Sequence, residues 1–242
     1  MIGLIPAAGL GRRTLGLVKE LLPISEDELC IDYTIRQMMN VPVEKILLVT
    51  SPTKAAYHMQ VLGNERFGIP LSYLCQRTPM GLGAAVLESE RIVTLENCKV
   101  CFMMPDTIIT PADTLKQLSC YPEPLVLGVH RVRNPQDFGV VVFDSQNNPL
   151  RIMDKPERPE SSWVWTCAVF DSSLYGILRK LNPSGGEIQL TDAFSYYLKE
   201  HRERMKVVQF EEGEYIDVGN LATYNALKLE NNKNAPPRLG MQ

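Results

Sequence analysis

The segment Pro6-Ala7-Ala8-Gly9-Leu10-Gly11-Arg12-Arg13 follows directly on the apolar run 2–6. Small residues there let backbone amides approach an anion closely, and phosphate is the obvious ligand. A dinucleotide fingerprint needs a third glycine near position 14 and an acidic residue closing the second strand; Thr14 and Val49-Thr50-Ser51 supply neither. A Walker loop needs Gly-Lys-Ser/Thr, which is also absent. For the glycines alone a tight turn is the alternative. Arg13 and then Lys19 follow, and two cations beside a phosphate cradle suit a triphosphate. Asp106 and Asp217 each close a strand-like run, where a carboxylate serves as metal ligand, turn or helix cap. His58, His130 and His201 stand in no motif and read as surface or satisfied polar groups. Cys98 and Cys101 form a C-x-x-C pair with no second pair at zinc spacing. Trp163 and Trp165 alternate along a strand and read as core or edge packing rather than a stacking platform.

Elements that position these residues come from the apolar pattern. Strands are expected at 2–6, 45–50, 71–75 and 100–104, alternating with helices at 32–40, 52–62 and 81–95, the pattern of a mostly parallel sheet with crossover helices. Beyond Pro111 the pattern becomes strand-rich, with 125–132, 139–143, 150–154 and 163–170 joined by polar turns. Helices at 172–181 and 191–202, a strand at 206–211 and a helix at 220–230 complete the reading. The segment 231–242 has few apolar groups to bury and reads as a loose tail.

The chain has 242 residues, 25 Lys plus Arg against 28 Asp plus Glu, a net charge of −3 and 45% hydrophobic residues. That is ordinary globular composition without a basic patch, so nucleic acid is not the expected partner. No apolar run is long enough to span a membrane, and no basic leader precedes one. Six cysteines in a chain with enough core to need no bridges point to a reducing, cytoplasmic setting.

The motifs taken together resemble those of nucleotidyltransferases that join a nucleoside triphosphate to a sugar 1-phosphate, such as glucose-1-phosphate thymidylyltransferases and uridylyltransferases. Arg13 and Lys19 fall on the charged positions of their Gly-x-Gly-x-Arg and Lys-x-Leu-Leu-Pro signature. Gln76-Arg77-Thr78-Pro79-Met80-Gly81-Leu82-Gly83 resembles the base-reading segment, Met104-Pro105-Asp106-Thr107 the metal-binding Gly-Asp, and Phe138-Gly139-Val140-Val141 the Tyr-Gly-Val-Val segment beside the sugar. Asp154-Lys155-Pro156 is similar to Glu-Lys-Pro, 186–192 to Gly-Glu-x-x-x-Thr-Asp, and 215–219 to Trp-x-Asp-x-Gly. The resemblance spans residues 2 to about 228.

It implies an α/β, Rossmann-like three-layer sandwich over 1–230, with nucleotide bound by about 1–110 and sugar by 111–230. It also implies condensation of a triphosphate with a sugar 1-phosphate, releasing pyrophosphate, with Mg²⁺. Ala8, Gly9, Gly11, Gln76 and Gly81 would hold the nucleotide. Arg13 and Lys19 would contact the triphosphate, Lys155 the sugar phosphate, and Asp106 and Asp217 the metal. Gly139, Asp154, Thr166 and Glu187 would line the sugar pocket, although Glu187 and Asp192 suit capping of the helix near Thr191 equally well. Departures are Pro105 for glycine, Thr107 for asparagine, Cys167-Ala168 for a glycine-containing pair, and Asp154 one methylene shorter than glutamate. The short loop between Arg13 and Lys19 leaves the base open. No β-helix domain is expected, and a homo-oligomer is left open. The rival readings are a cytidylyl- or guanylyltransferase acting on a non-sugar phosphate, and a silent nucleotide-sugar sensor.

Overall fold

The computed structural model describes residues 1–9, 17–181, 186–219 and 221–234. Its centre is a mixed sheet whose four parallel neighbours are β1 (Ile2–Pro6), β2 (Lys45–Thr50), β4 (Ile69–Cys75) and β5 (Val100–Met103). β1 lies between β2 and β5, parallel to both. Beyond β5 the sheet continues through antiparallel β10 (Trp163–Phe170) to β7 (Leu125–Arg131) and then β11 (Met205–Phe210), while β3 (Glu65–Arg66) closes the other edge. β8 (Gly139–Phe143) pairs with β10 and, as a hairpin, with β9 (Pro149–Asp154). The α/β class and mostly parallel mixed sheet expected from the pattern are what the chain forms.

Three layers follow from strand alternation. On β1, Ile2 and Leu4 enter one core and Ile5 the other; on β5, Val100 and Phe102 divide from Cys101 and Met103 in the same way. Helix α1 (Cys30–Met39) lays Ile31, Ile35 and Met38, spaced for one helical face, on the second core. The same layer takes α5 (Thr114–Ser119) through Leu115 and Leu118, and the end of α2 (Ala55–Leu62) through Leu62. The first core is covered by α3 (Leu82–Leu87), α4 (Glu90–Glu96), α6 (Ser173–Lys180) and α7 (Leu190–Glu200).

Several expected boundaries are corrected. The helix read over 81–95 is two helices, because the buried Ser89 hydroxyl donates to Val86 O at 2.6 Å, competing with the backbone ladder, and also meets the Tyr175 hydroxyl at 2.7 Å. Two three-residue strands were not anticipated: β6 (Thr107–Ile109) pairs antiparallel with β12 (Tyr215–Asp217). Helix α8 (Leu221–Asn234) continues four residues into the segment expected to be loose; 235–242 lie outside the described residues. All six cysteines are free. No helix of the described residues is long and apolar enough to cross a membrane.

Candidate active site

The carboxyl ends of β1, β2, β4 and β5 open into a cleft of about 520 Å³. β1 has β2 on one side and β5 on the other, the reversal of strand order at which open α/β sheets collect ligands. Ala8, Gly9, Lys19, Gln76, Gly81, Asp106, Gly139, Asp154, Lys155, Thr166, Glu187 and Asp217 all line this one cleft. Gly11 and Arg13 lie outside the described residues.

The two aspartates meet through the small β6–β12 sheet. Asp217 pairs in register with Thr107, the residue after Asp106, and Val218 N donates to Asp106 O at 2.8 Å. A separation of 111 positions in sequence thus collapses to neighbouring strands. Asp106 is buried and takes the Lys19 ammonium as a salt-bridge partner. Burial alone would lower the lysine pKa, but the charge and hydrogen bond of Asp106, with help from Asp217, raise it above its ordinary value, so Lys19 stays cationic. The same two carboxylates, added to burial, push the Tyr215 phenol well above its usual range. Among the described residues no cluster of three or more His, Cys, Asp or Glu forms a metal cage. Two hard carboxylates on one wall of a phosphate-sized cleft nevertheless fit Mg²⁺, which takes one or two carboxylates and leaves its other positions to phosphate and water. A cation already sits on Asp106, in the form of Lys19, so the wall is built to hold positive charge.

At the carboxyl end of β4, Gln76 follows the strand and its backbone N–H is fixed to Thr50 O at 2.8 Å. The residue is 4% exposed, and its Nε2 has no hydrogen-bond partner among the described residues. A buried amide donor left unpaired is costly unless a ligand satisfies it. Gly81 adopts φ +93°, and a side chain there would collide with Ile188 O. That close approach joins residues 80–83 to 187–188: Gly83 N donates to Ile188 O at 2.8 Å and Ile188 N to Met80 O at 2.7 Å.

β9 finishes at Asp154, and Lys155 takes φ +41°. Successive strand residues point to opposite faces, but a left-handed residue breaks the alternation, and Asp154 and Lys155 both reach the cleft. Thr166 has its proton committed. His130 Nε2 donates to Thr110 O at 3.0 Å, so Nδ1 accepts, and the Thr166 hydroxyl donates to it at 2.8 Å. Burial lowers the His130 pKa, consistent with a neutral ring. Thr166 therefore presents only acceptor capacity to the cleft. Neither Glu187 nor Asp192 caps α7: the helix starts at Leu190 with Gln189 as N-cap and no side-chain cap bond, and Glu187 accepts from Gln189 Nε2 at 2.9 Å. Asp192 lies in the first turn, where its charge suits the helix dipole.

Two contributors to the cleft escaped the sequence reading. Lys54, 7% exposed, donates to Ala7 O at 3.2 Å and to Glu20 Oε1 at 2.9 Å, while His58 Nε2 meets the same carboxylate oxygen at 3.0 Å. Burial would raise the Glu20 pKa, but His58 and Lys54 outweigh it and hold the carboxyl below its usual range. This buried network ties the chain just before the glycine loop to α2 and to Lys19-Glu20. A lone lysine after a strand carries no sequence signal. Trp165, read as packing, also lines the cleft while packing against Phe102 and Phe194.

The fold and this cleft define a transferase acting on nucleoside triphosphates. A family model described as nucleotidyl transferase matches residues 2–233, and the chain belongs to that family, as a sugar-1-phosphate nucleotidyltransferase. A glucose-1-phosphate thymidylyltransferase from Neisseria gonorrhoeae is 34% identical over 210 residues, covering 83% of this chain and 72% of that protein. A structure of UDP-glucose pyrophosphorylase with UDP-glucose superposes with a TM-score of 0.83 at 24% identity, covering 97% of this chain and 99% of that one. A Bacillus anthracis structure, provisionally assigned as a glucose-1-phosphate thymidylyltransferase and solved with sucrose, gives 0.84 at 23% identity, covering 95% of both chains. At those identities the superpositions speak for the fold. The expectations of family, fold and enzyme class are borne out.

Proposed function

We propose that the cleft binds a nucleoside triphosphate from the glycine loop to Gln76 and a hexose 1-phosphate from Asp106 to Asp154, and joins them with release of pyrophosphate. One observation carries this reading: a single cleft gathers Lys19, Asp106 and Asp217 with the Gln76 amide, whose buried Nε2 is unpaired among the described residues, and with Asp154, Thr166 and Glu187. The reaction is an in-line attack of a phosphate oxygen on the α-phosphorus, so alignment and charge neutralisation are what the protein must supply. The second pKa of a phosphate monoester is ~6, so the nucleophile is ionised at neutral pH and no general base is required. Asp106 and Asp217 would hold Mg²⁺, which would supply charge neutralisation and alignment of the phosphates. Lys19 and Arg13 would face the triphosphate, and Lys155 the acceptor phosphate. Gln76 Nε2 would donate to a carbonyl of the base, which favours a keto base such as thymine or uracil at this position. The work is that of a cytoplasmic enzyme of nucleotide-sugar synthesis, without a nucleic-acid or membrane partner.

Pyrophosphate release tests the reading directly. Purified protein is mixed with each of dTTP, UTP, CTP and GTP, each of several sugar 1-phosphates, and Mg²⁺. Release with sugar phosphates, abolished by EDTA and restored by excess Mg²⁺, is expected. Release only with a non-sugar phosphate, or triphosphate binding without any release, would overturn it.

A further inference from the structure

Trp165 and Thr166 are consecutive on β10, yet both line the cleft. The cause is a register shift: Trp165 pairs with Val129 but Cys167 with Gly128, so one extra residue is accommodated and the alternation changes phase. Strand bulges of this kind re-aim side chains beside binding sites. The indole that results is half-buried and fixed. Phe194 meets it edge-to-face at 5.1 Å and 90°, and Phe102 lies at 6.3 Å. Gly139 leaves it room, because a methyl at that position would overlap the indole nitrogen.

The indole N–H leads into a chain with one permitted direction. Tryptophan can only donate, so Thr191 Oγ1 accepts at 3.1 Å. The threonine's own proton then goes to Asp154 Oδ1 at 2.9 Å, since an ionised carboxylate can only accept. Asp154 Oδ2 has no partner among the described residues. The order Trp165 to Thr191 to Asp154 thus spends one carboxylate oxygen on orientation and leaves the other, on a residue that lines the cleft, without a partner among the described residues. An aspartate reaches one methylene less far than a glutamate, so its aim matters more.

We infer that Trp165 is a positioning residue for the acceptor: through Thr191 it fixes Asp154 to accept a hydrogen bond from one ring hydroxyl of a pyranosyl 1-phosphate, and so sets which acceptors are used. The inference rests on the reaction proposed above. Trp165→Phe keeps an aromatic ring, smaller than the indole, and deletes the N–H, Thr191→Val deletes the hydroxyl, and Thr191→Ser retains it. In steady-state pyrophosphate assays, Trp165→Phe and Thr191→Val should each raise the acceptor KM about tenfold, the scale of one misplaced hydrogen bond. Triphosphate KM and kcat should stay within about threefold. The double variant should be no worse than either single, because both cut one chain, and Thr191→Ser should recover. Unchanged acceptor KM, additive losses, or an equal rise in triphosphate KM would overturn the inference.

Should a variant fold poorly by circular dichroism, the sugar 1-phosphate that wild type uses best among those tested above, with its monodeoxy analogues, settles the matter with wild type and Thr191→Ser. Both must discriminate about tenfold against one deoxy position, and equal use of every analogue overturns the inference. A wild type that uses the sugar phosphates but shows no such pattern sinks the relay alone. A wild type that uses none sinks the reaction as well.

Discussion

Asp106 is where charge is most concentrated, buried and salt-bridged to Lys19 on the wall it shares with Asp217. Asp106→Asn keeps the shape and removes the charge. Turnover should fall by ~10²–10³-fold, the usual cost of losing one preorganised electrostatic contact, with an unchanged circular dichroism spectrum. Full activity would remove the aspartate from the mechanism. Lys155 separates a backbone cost from a side-chain role. Its φ of +41° strains any residue with a Cβ, so Lys155→Gly relieves strain that Lys155→Ala retains. By urea unfolding the glycine variant should be more stable than the alanine variant by about 1 kcal/mol. Both should show a raised acceptor KM if, as proposed, the Lys155 ammonium holds the acceptor phosphate; an unchanged KM would remove that role. The place of Lys19, Asp106 and Lys155 in the cleft was legible from the sequence because each stands in a short motif of distinctive composition; Arg13 lies outside the described residues. Lys54 and Trp165 were not legible, because what they do depends on partners far away in sequence: Ala7 and Glu20 for one, Thr191 for the other.

Between β1 and α2, three buried polar groups hold two elements together. Lys54, at the start of α2, donates both to the last turn of chain before the glycine loop and to Glu20, which His58 contacts from the same helix. Lys54→Met fills the space but leaves the Glu20 carboxylate buried with one partner fewer. Breaking such a pair costs about 3–5 kcal/mol, to be read as a lower urea midpoint. Because the Ala7 carbonyl loses the Lys54 donor, leaving only the bond from Ala7 N to Val49 O, the triphosphate KM should also rise while the acceptor KM does not. A variant as stable as wild type would mean that the network carries no structural load. The elements themselves were read with uneven success, for physical reasons. β2 and β8 fall where their apolar runs lie, because strands buried within the sheet need continuous apolar sequence. The three-residue β6 and β12 are too short to show a period, and the break between α3 and α4 depends on Ser89 meeting Tyr175, 86 positions on. It is the unread pair, β6 and β12, that brings Asp106 and Asp217 together.

Across the whole molecule, two buried polar centres, one on β7 and β10 and one between the turn at Lys19–Leu21 and α2, respond to acid at different pH. His130 on β7 joins Thr166 of β10 to the carbonyl of Thr110, and burial lowers its pKa below the ordinary 6.5. The unfolded chain binds that proton more readily than the fold does. Its stabilising contribution is therefore complete above about pH 6.5 and is lost as pH falls through the folded value. Glu20 has a folded pKa below the usual carboxylate value of 4.5, so its contribution is complete above that pH and is lost only in stronger acid. Urea midpoints measured from pH 8 to pH 3 should hold level, decline as His130 titrates below about 6.5, and decline again below about 4.5. His130→Gln, which carries no titrating group, should flatten the first decline and leave the second; Glu20→Gln should do the reverse, from a lower starting stability. Because His130 also fixes the proton of Thr166, while the acceptor phosphate itself titrates near ~6 whichever variant is used, the acceptor KM should rise through the first decline more steeply in wild type than in His130→Gln. If the acceptor KM rose equally in both proteins, or if the first decline persisted in His130→Gln, acid would be acting on some other group, and Thr166 would have no part in holding the acceptor.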